Sequence, residues 1–178
     1  ATLLYLDLPA IVLVQQIAAG SGSASLIAIP LFIFAGELML RGGISERLIG
    51  FASALVGRVR GGLGQVSVLS SLFFGGVSGS ALADVSAVGG TMIPQMVKRG
   101  YDRDYAVNVC MTAALVALLV PPSHNLILFS AAAGGGISIT DLFAAGIMPA
   151  LLMTVAMMIT GYAVARARGY GTEPFPGW

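Results

Sequence analysis

The chain has 178 residues, 57% of them hydrophobic and 10% charged, with a formal net charge of +1 and a mean hydropathy of +0.91. A soluble domain carries about 25% charged residues, so this composition excludes an ordinary soluble globule. Nine basic against eight acidic residues exclude the basic face that nucleic acid requires, and a lone Cys110 with a lone His124 excludes both an intrachain disulfide and a zinc site. The chain reads as an all-α integral membrane protein lodged in a lipid bilayer.

Residues 3–19 are apolar but broken by Asp7-Leu8-Pro9, which predicts a loop passing into a helix. Residues 25–40 predict a helix with Pro30 near its start, where proline costs least, ended by Arg41-Gly42-Gly43. Ser45-Glu46-Arg47 resembles a helix start, and Ile44, Leu48, Phe51, Leu55 and Val59 recur at helical spacing. Charged ends and a short apolar face predict a helix lying along the membrane interface.

From Gly61 to Val97 the chain is almost uncharged, interrupted only by Asp84 and crowded at its middle by Gly75-Gly76-Val77-Ser78-Gly79-Ser80-Ala81. Residues 63–77 make about 22 Å of helix against a hydrocarbon core of roughly 30 Å, too little to cross. Residues 81–97 are similarly short. Two half-length helices meeting at a Gly/Ser tip predict a re-entrant hairpin. Irregular backbone at membrane depth is tolerated only where protein buries it or water and ions reach it, which points to transport rather than anchoring.

Residues 105–120 predict a further helix, which Pro121-Pro122 must break. Ser123-His124-Asn125 follow, and 126–133 resume the apolar run, giving a discontinuous helix with a second polar cluster near mid-bilayer. Gly134-Gly135-Gly136 turns the chain, and 142–165 span back to Arg166 and Arg168. All nine basic residues then fall on one side, at mouths marked by Arg58 and Arg60, by Lys98, Arg99 and Arg103, and by Arg166 and Arg168. The positive-inside rule makes that side cytoplasmic. With no Met at position 1, no signal-peptide pattern and a loop-like close over 171–178, the chain is expected to be part of a longer protein.

A hairpin tip facing a broken helix is an arrangement with which transporters bind ions at the midplane: unwound backbone frees carbonyls for a cation, and half-helix N-termini face anionic groups. Ser78, Gly79 and Ser80 on one side, and Pro122, Ser123 and Asn125 on the other, are the candidate ligands for Na⁺, which wants several oxygens and neither sulfur nor imidazole. Ser80, Ser123, His124 and Asn125 are the candidate contacts for a substrate carboxylate. Gly75-x-x-x-Gly79 is also a pattern for close helix contact. Asp84, four residues beyond Ser80, is a further candidate to ligate or electrostatically support a cation or to carry a proton, and equally a candidate cap for the first turn of its helix, the two roles being compatible. Gly76-Val77-Ser78-Gly79 also matches the G-x-S-G of rhomboid-like intramembrane serine proteases, which makes a Ser78/His124 dyad the alternative, enzymatic reading.

The strings Ile29-Pro30-Leu31-Phe32-Ile33-Phe34-Ala35-Gly36-Glu37-Leu38-Met39, Arg41-Gly42-Gly43-Ile44-Ser45-Glu46-Arg47-Leu48, Ser78-Gly79-Ser80-Ala81-Leu82-Ala83-Asp84, Pro121-Pro122-Ser123-His124-Asn125 and Gly146-Ile147-Met148-Pro149 resemble the large, DctM-like membrane subunit of TRAP (tripartite ATP-independent periplasmic) transporters. The resemblance covers nearly the whole chain. It implies no enzyme but a sodium-driven, elevator-type symporter, multi-pass in the bacterial inner membrane. Its partners would be a small membrane subunit and a periplasmic substrate-binding protein, and its substrates organic acids such as C4-dicarboxylates. On that resemblance 1–60 supply scaffold-type helices and an interfacial arm helix, 61–100 the hairpin, 101–140 the discontinuous helix of the transport domain, 141–168 a spanning helix and 169–178 a loop. The whole would be the first of two inverted repeats.

Overall fold

A computed structural model describes residues 24–133 and 136–171, and before Ala24 only positions 11, 12, 14, 15 and 18. The expected break at Asp7-Leu8-Pro9, the glycines 134 and 135, and the segment after Gly171 lie outside the described residues. Among the described residues the architecture is helical, with no β-strand. The helices are α1 (Ala24–Arg41), α2 (Ile44–Val56), α3 (Gly62–Ser78), α4 (Ala81–Asp84), α5 (Gly90–Lys98), α6 (Arg103–Ala113), α7 (His124–Ala132) and α8 (Ile139–Ala167). A π-helical stretch, Val85–Gly89, joins α4 to α5, and a 3₁₀ turn, Val116–Leu118, follows α6.

Helix α3 is the axis of the fold. It packs against α1, α2, α6 and α8, and eleven of its seventeen residues are buried. Its small side chains permit this, because a helix hemmed in on all sides must let several backbones approach. At Gly75 an added Cβ would lie 2.6 Å from the Cα of Ala117, so the 3₁₀ turn crosses α3 at backbone contact. Around it Val66, Phe74, Val88, Met92 and Met96 form the apolar core.

Helix α2 packs back along α3, with Phe51 on Phe73 at 5.4 Å between ring centroids. The apolar stripe read from sequence divides: Leu48 turns to the core beside Ala52, while Phe51, Leu55 and Val59 stay exposed. The second hairpin leg contains a π segment that helical spacing does not reveal. There Ser86 Oγ donates to the Leu82 carbonyl at 2.9 Å and Thr91 Oγ1 to that of Ala87 at 3.1 Å, beside two adjacent glycines of low helix propensity.

The broken helix also differs from expectation. Residues 105–120 were expected to be helical up to the prolines, but α6 ends at Ala113 and the chain tightens into the 3₁₀ turn. Prolines offer no N–H to the carbonyls one turn back. The Leu118 carbonyl instead accepts from Ser123 Oγ, across the cis Pro121-Pro122 bond.

Helix α8, expected over 142–165, runs 29 residues from Ile139 and is the one helix among the described residues long and apolar enough to cross a membrane. It carries Met148, Leu152, Val155 and Ile159 exposed, as α1 does Ile27, Leu31, Phe34 and Leu38. Apolar faces of that extent mark a membrane or protein contact rather than water.

The three basic mouths meet at one end. Gly61 N–H donates to the Gly171 carbonyl at 3.4 Å. Asp102 accepts from Arg168 Nη1 at 2.8 Å and from the Tyr170 hydroxyl at 2.7 Å. The rings of Tyr101, Tyr105 and Tyr170 pack together there.

Candidate functional site

The hairpin turns in two residues. Gly79 ends α3 in the left-handed region at φ 58°, which glycine alone adopts without strain. Ser80 then starts α4 as its N-cap, its side chain accepting from Ala83 N–H. This tip lies against the break in the second helix. A Cβ on Gly79 would fall within contact of the Pro122 carbonyl, 3.1 Å from its carbon and 3.3 Å from the Cα of Ser123. Two segments 43 residues apart in sequence, each with irregular backbone, thus touch.

Beside this contact is a cavity of about 180 Å³ lined by Ser78, Ser80, Ala83 and His124, and closed on its other side by Ile33, Gly36, Glu37 and Leu40 of α1. Gly36 sits 3.5 Å (from its would-be Cβ) from the Cα of Ser78. Ser78 Oγ accepts from Ser80 N–H at 3.4 Å. The Nε2 of His124 is buried and has no hydrogen-bond partner.

The expected residues therefore divide. Ser78, Ser80 and His124 share the cavity, and Gly79, Pro122 and Ser123 form the backbone contact next to it. Ser123 is fully buried with its hydroxyl donated to Leu118. Asn125 is exposed on the first turn of α7 and does not line the cavity. Asp84 also stays out of it: fully buried, it accepts from Ser71 Oγ at 2.7 Å through Oδ2, while Oδ1 has no partner. Placing Asp84 on the Ser80 face by four-residue spacing neglected α3, whose Ser71 draws the carboxyl to the hairpin interior. The close-contact reading of Gly75-x-x-x-Gly79 is met, since Gly75 packs on Ala117 and Gly79 on Pro122.

Sequence reasoning passed over Glu37 as a site residue. An acid inside an apolar helix is a signal by itself, and here Glu37 borders the cavity while pairing with Arg41 at 3.0 Å. That pair is exposed and contributes little to stability. Ser71 was missed for want of any local mark.

The dyad reading finds no hydrogen bond between Ser78 and His124: the hydroxyl serves Ser80 and the imidazole Nε2 is unpartnered. Among the described residues no group of three His, Cys, Asp or Glu side chains is placed to hold a metal ion.

The profile of the family described as "Tripartite ATP-independent periplasmic transporter, DctM component" matches residues 1–175. The chain is 39% identical over 160 residues to the sialic acid TRAP transporter large permease protein SiaM of Vibrio cholerae, covering 90% of this chain and 37% of that one. It is 40% identical over 166 residues to the ectoine TRAP transporter large permease protein TeaC of Halomonas elongata, covering 93% and 38%. It is 39% identical over 158 residues to the C4-dicarboxylate large permease protein DctM of Vibrio cholerae, covering 89% and 34%. The chain spans about a third of the length of the curated relatives it matches. These relatives are transporter permeases and not enzymes. The motif strings, the hairpin against a broken helix and the match along the chain agree: the chain belongs to the DctM component family of TRAP transporters.

Proposed function

We propose that this chain forms part of a sodium-coupled permease that carries organic acid anions across a bacterial inner membrane by an elevator mechanism. The observation that carries the reading is the apposition of Gly79 with Pro122 and Ser123. Each break leaves backbone oxygens that hydrocarbon cannot satisfy, and an unpaired polar group there costs several kcal/mol. A sodium ion bound between the tip and the break satisfies both and couples their positions, as alternating access requires. In this reading the hairpin is re-entrant, its basic mouth faces the cytoplasm, and the turn before α8 faces the periplasm.

A small membrane subunit and a periplasmic binding protein complete the system. The substrate is an organic acid, in keeping with the sialic acid and C4-dicarboxylate named for two relatives; the ectoine named for a third makes the family's range wider than one acid.

The test is uptake by the assembled transporter in proteoliposomes, with its binding protein added and sodium, potassium or proton gradients imposed in turn. Uptake of at least one organic acid should require both sodium and the binding protein. Equal uptake on a potassium or proton gradient with sodium absent would overturn the coupling.

A further inference from the structure

A second cavity, of about 400 Å³, opens between α6 and α8, floored by Val68 of α3. Its walls are Val68, Val109, Thr112, Met153, Met157 and Val164. On α8 the lining residues repeat every three to four positions, so the groove runs along the helix axis. Its rise from Met153 to Val164 is about 16 Å, and one leaflet's share of a roughly 30 Å hydrocarbon core is about 15 Å. The groove is therefore as long as a single leaflet is deep.

At its lower end stands Tyr105, which lines the groove and lies 5.9 Å, ring centroid to guanidinium carbon, beneath Arg168. Arg103 begins α6 and Arg166 closes α8 at the same end, both exposed. A guanidinium has five N–H donors, more than Asp102 accepts from Arg168. The acids of this end are Asp102, held in that cluster, and Asp104 on the first turn of α6. An apolar slot one leaflet deep thus ends at a cationic rim.

We propose that this groove binds one anionic phospholipid of the leaflet at the basic mouth, an acyl chain lying between α6 and α8 and the phosphate at Arg103, Arg166 and Arg168. The apolar length selects a lipid chain and the rim selects negative charge, since each basic side chain near an anionic lipid surface favours it by about 1 kcal/mol. The inference borrows only the membrane setting of the proposed function; lipid retention is read without transport, so the two fail separately.

The experiment is native mass spectrometry of the assembled transporter after exchange into phosphatidylglycerol or phosphatidylcholine of equal chain length. Wild type should retain phosphatidylglycerol on the order of a hundredfold better, as three basic side chains at about 1 kcal/mol each supply. Ala156→Trp, which fills the groove from an exposed helix position, should abolish that adduct, and Arg103→Gln with Arg166→Gln should bring the two lipids close to parity. Equal retention by wild type, or an adduct that survives Ala156→Trp, would overturn the proposal. A photocrosslinker at Thr112 guards against a misfolded tryptophan variant. Capture of lipid supports the site, and capture of another stretch of the transporter's own polypeptide makes the groove a protein seam and refutes it.

Discussion

Gly79→Ala tests the contact on which the site is built. The left-handed conformation at φ 58° costs a non-glycine residue about 1–2 kcal/mol. The methyl group would also enter the space of the Pro122 carbonyl and come 3.1 Å from its carbon. No rotamer relieves a collision with backbone, and overpacking of this kind costs about 1–3 kcal/mol. Together the two give about 2–5 kcal/mol. Gly90→Ala is the control: Gly90 is right-handed helical with nothing within 4 Å of an added Cβ, so alanine there should stabilise by up to about 1 kcal/mol. The assay is the rate of maleimide alkylation of Cys110, a buried thiol, located by mass spectrometry in the assembled transporter. A loss of 2 kcal/mol accelerates alkylation by about 30-fold where opening limits access. Gly79→Ala alkylated no faster than wild type, while Gly90→Ala behaves as expected, would refute the close approach of tip and break.

Three further outcomes follow from the same geometry. Ser71→Ala strands the buried Asp84 carboxyl and should destabilise the chain by about 1–3 kcal/mol, with Ser71→Ala/Asp84→Leu recovering most of it; unfolding that leaves the single variant unaffected would show that Ser71 does not hold Asp84. The hydrogen bond from Tyr170 first, then that from Arg168, holds the Asp102 carboxyl below its ordinary value. The stability it contributes is therefore full above the unfolded value of about 3.9 and is lost as pH falls through the lower folded value. Hydrogen exchange at the Asp102 amide should be protected at neutral pH, open only in strong acid, and lose that acid response in Asp102→Asn. Asn125→Leu should raise the sodium concentration for half-maximal uptake far more than it changes expression; an unchanged value, which its exposed position outside the cavity makes a real contest, would remove Asn125 from the site.

What could be read from residues alone was what a local rule marks. Gly79 and the prolines break helices wherever they stand, so the hairpin tip and the interruption near His124 were legible, as were α1, α7 and the grouping of basic mouths. The early end of α6 at Ala113 was not, because the prolines mark a break only at 121 and no residue from 114 to 120 is a helix breaker. The π segment was not legible either, since Val85-Ser86-Ala87-Val88-Gly89 carries no residue pattern that separates it from ordinary helix. Helical spacing put Asp84 beside Ser80, whereas the direction of its carboxyl is decided by Ser71 thirteen residues away. Glu37 was marked locally as an acid inside an apolar helix, but its place at the cavity follows from the packing of α1 on the hairpin tip, a tertiary contact.

The most direct measurement of the central claim is equilibrium binding of radioactive sodium to the purified, assembled transporter, comparing wild type with Ser78→Ala and with Gly79→Ala. An ion held between tip and break predicts saturable binding in wild type that weakens by about tenfold or more in both variants, as the loss of about 1.4 kcal/mol at a ligand oxygen or its geometry requires. Sodium bound equally well by all three proteins would contradict it.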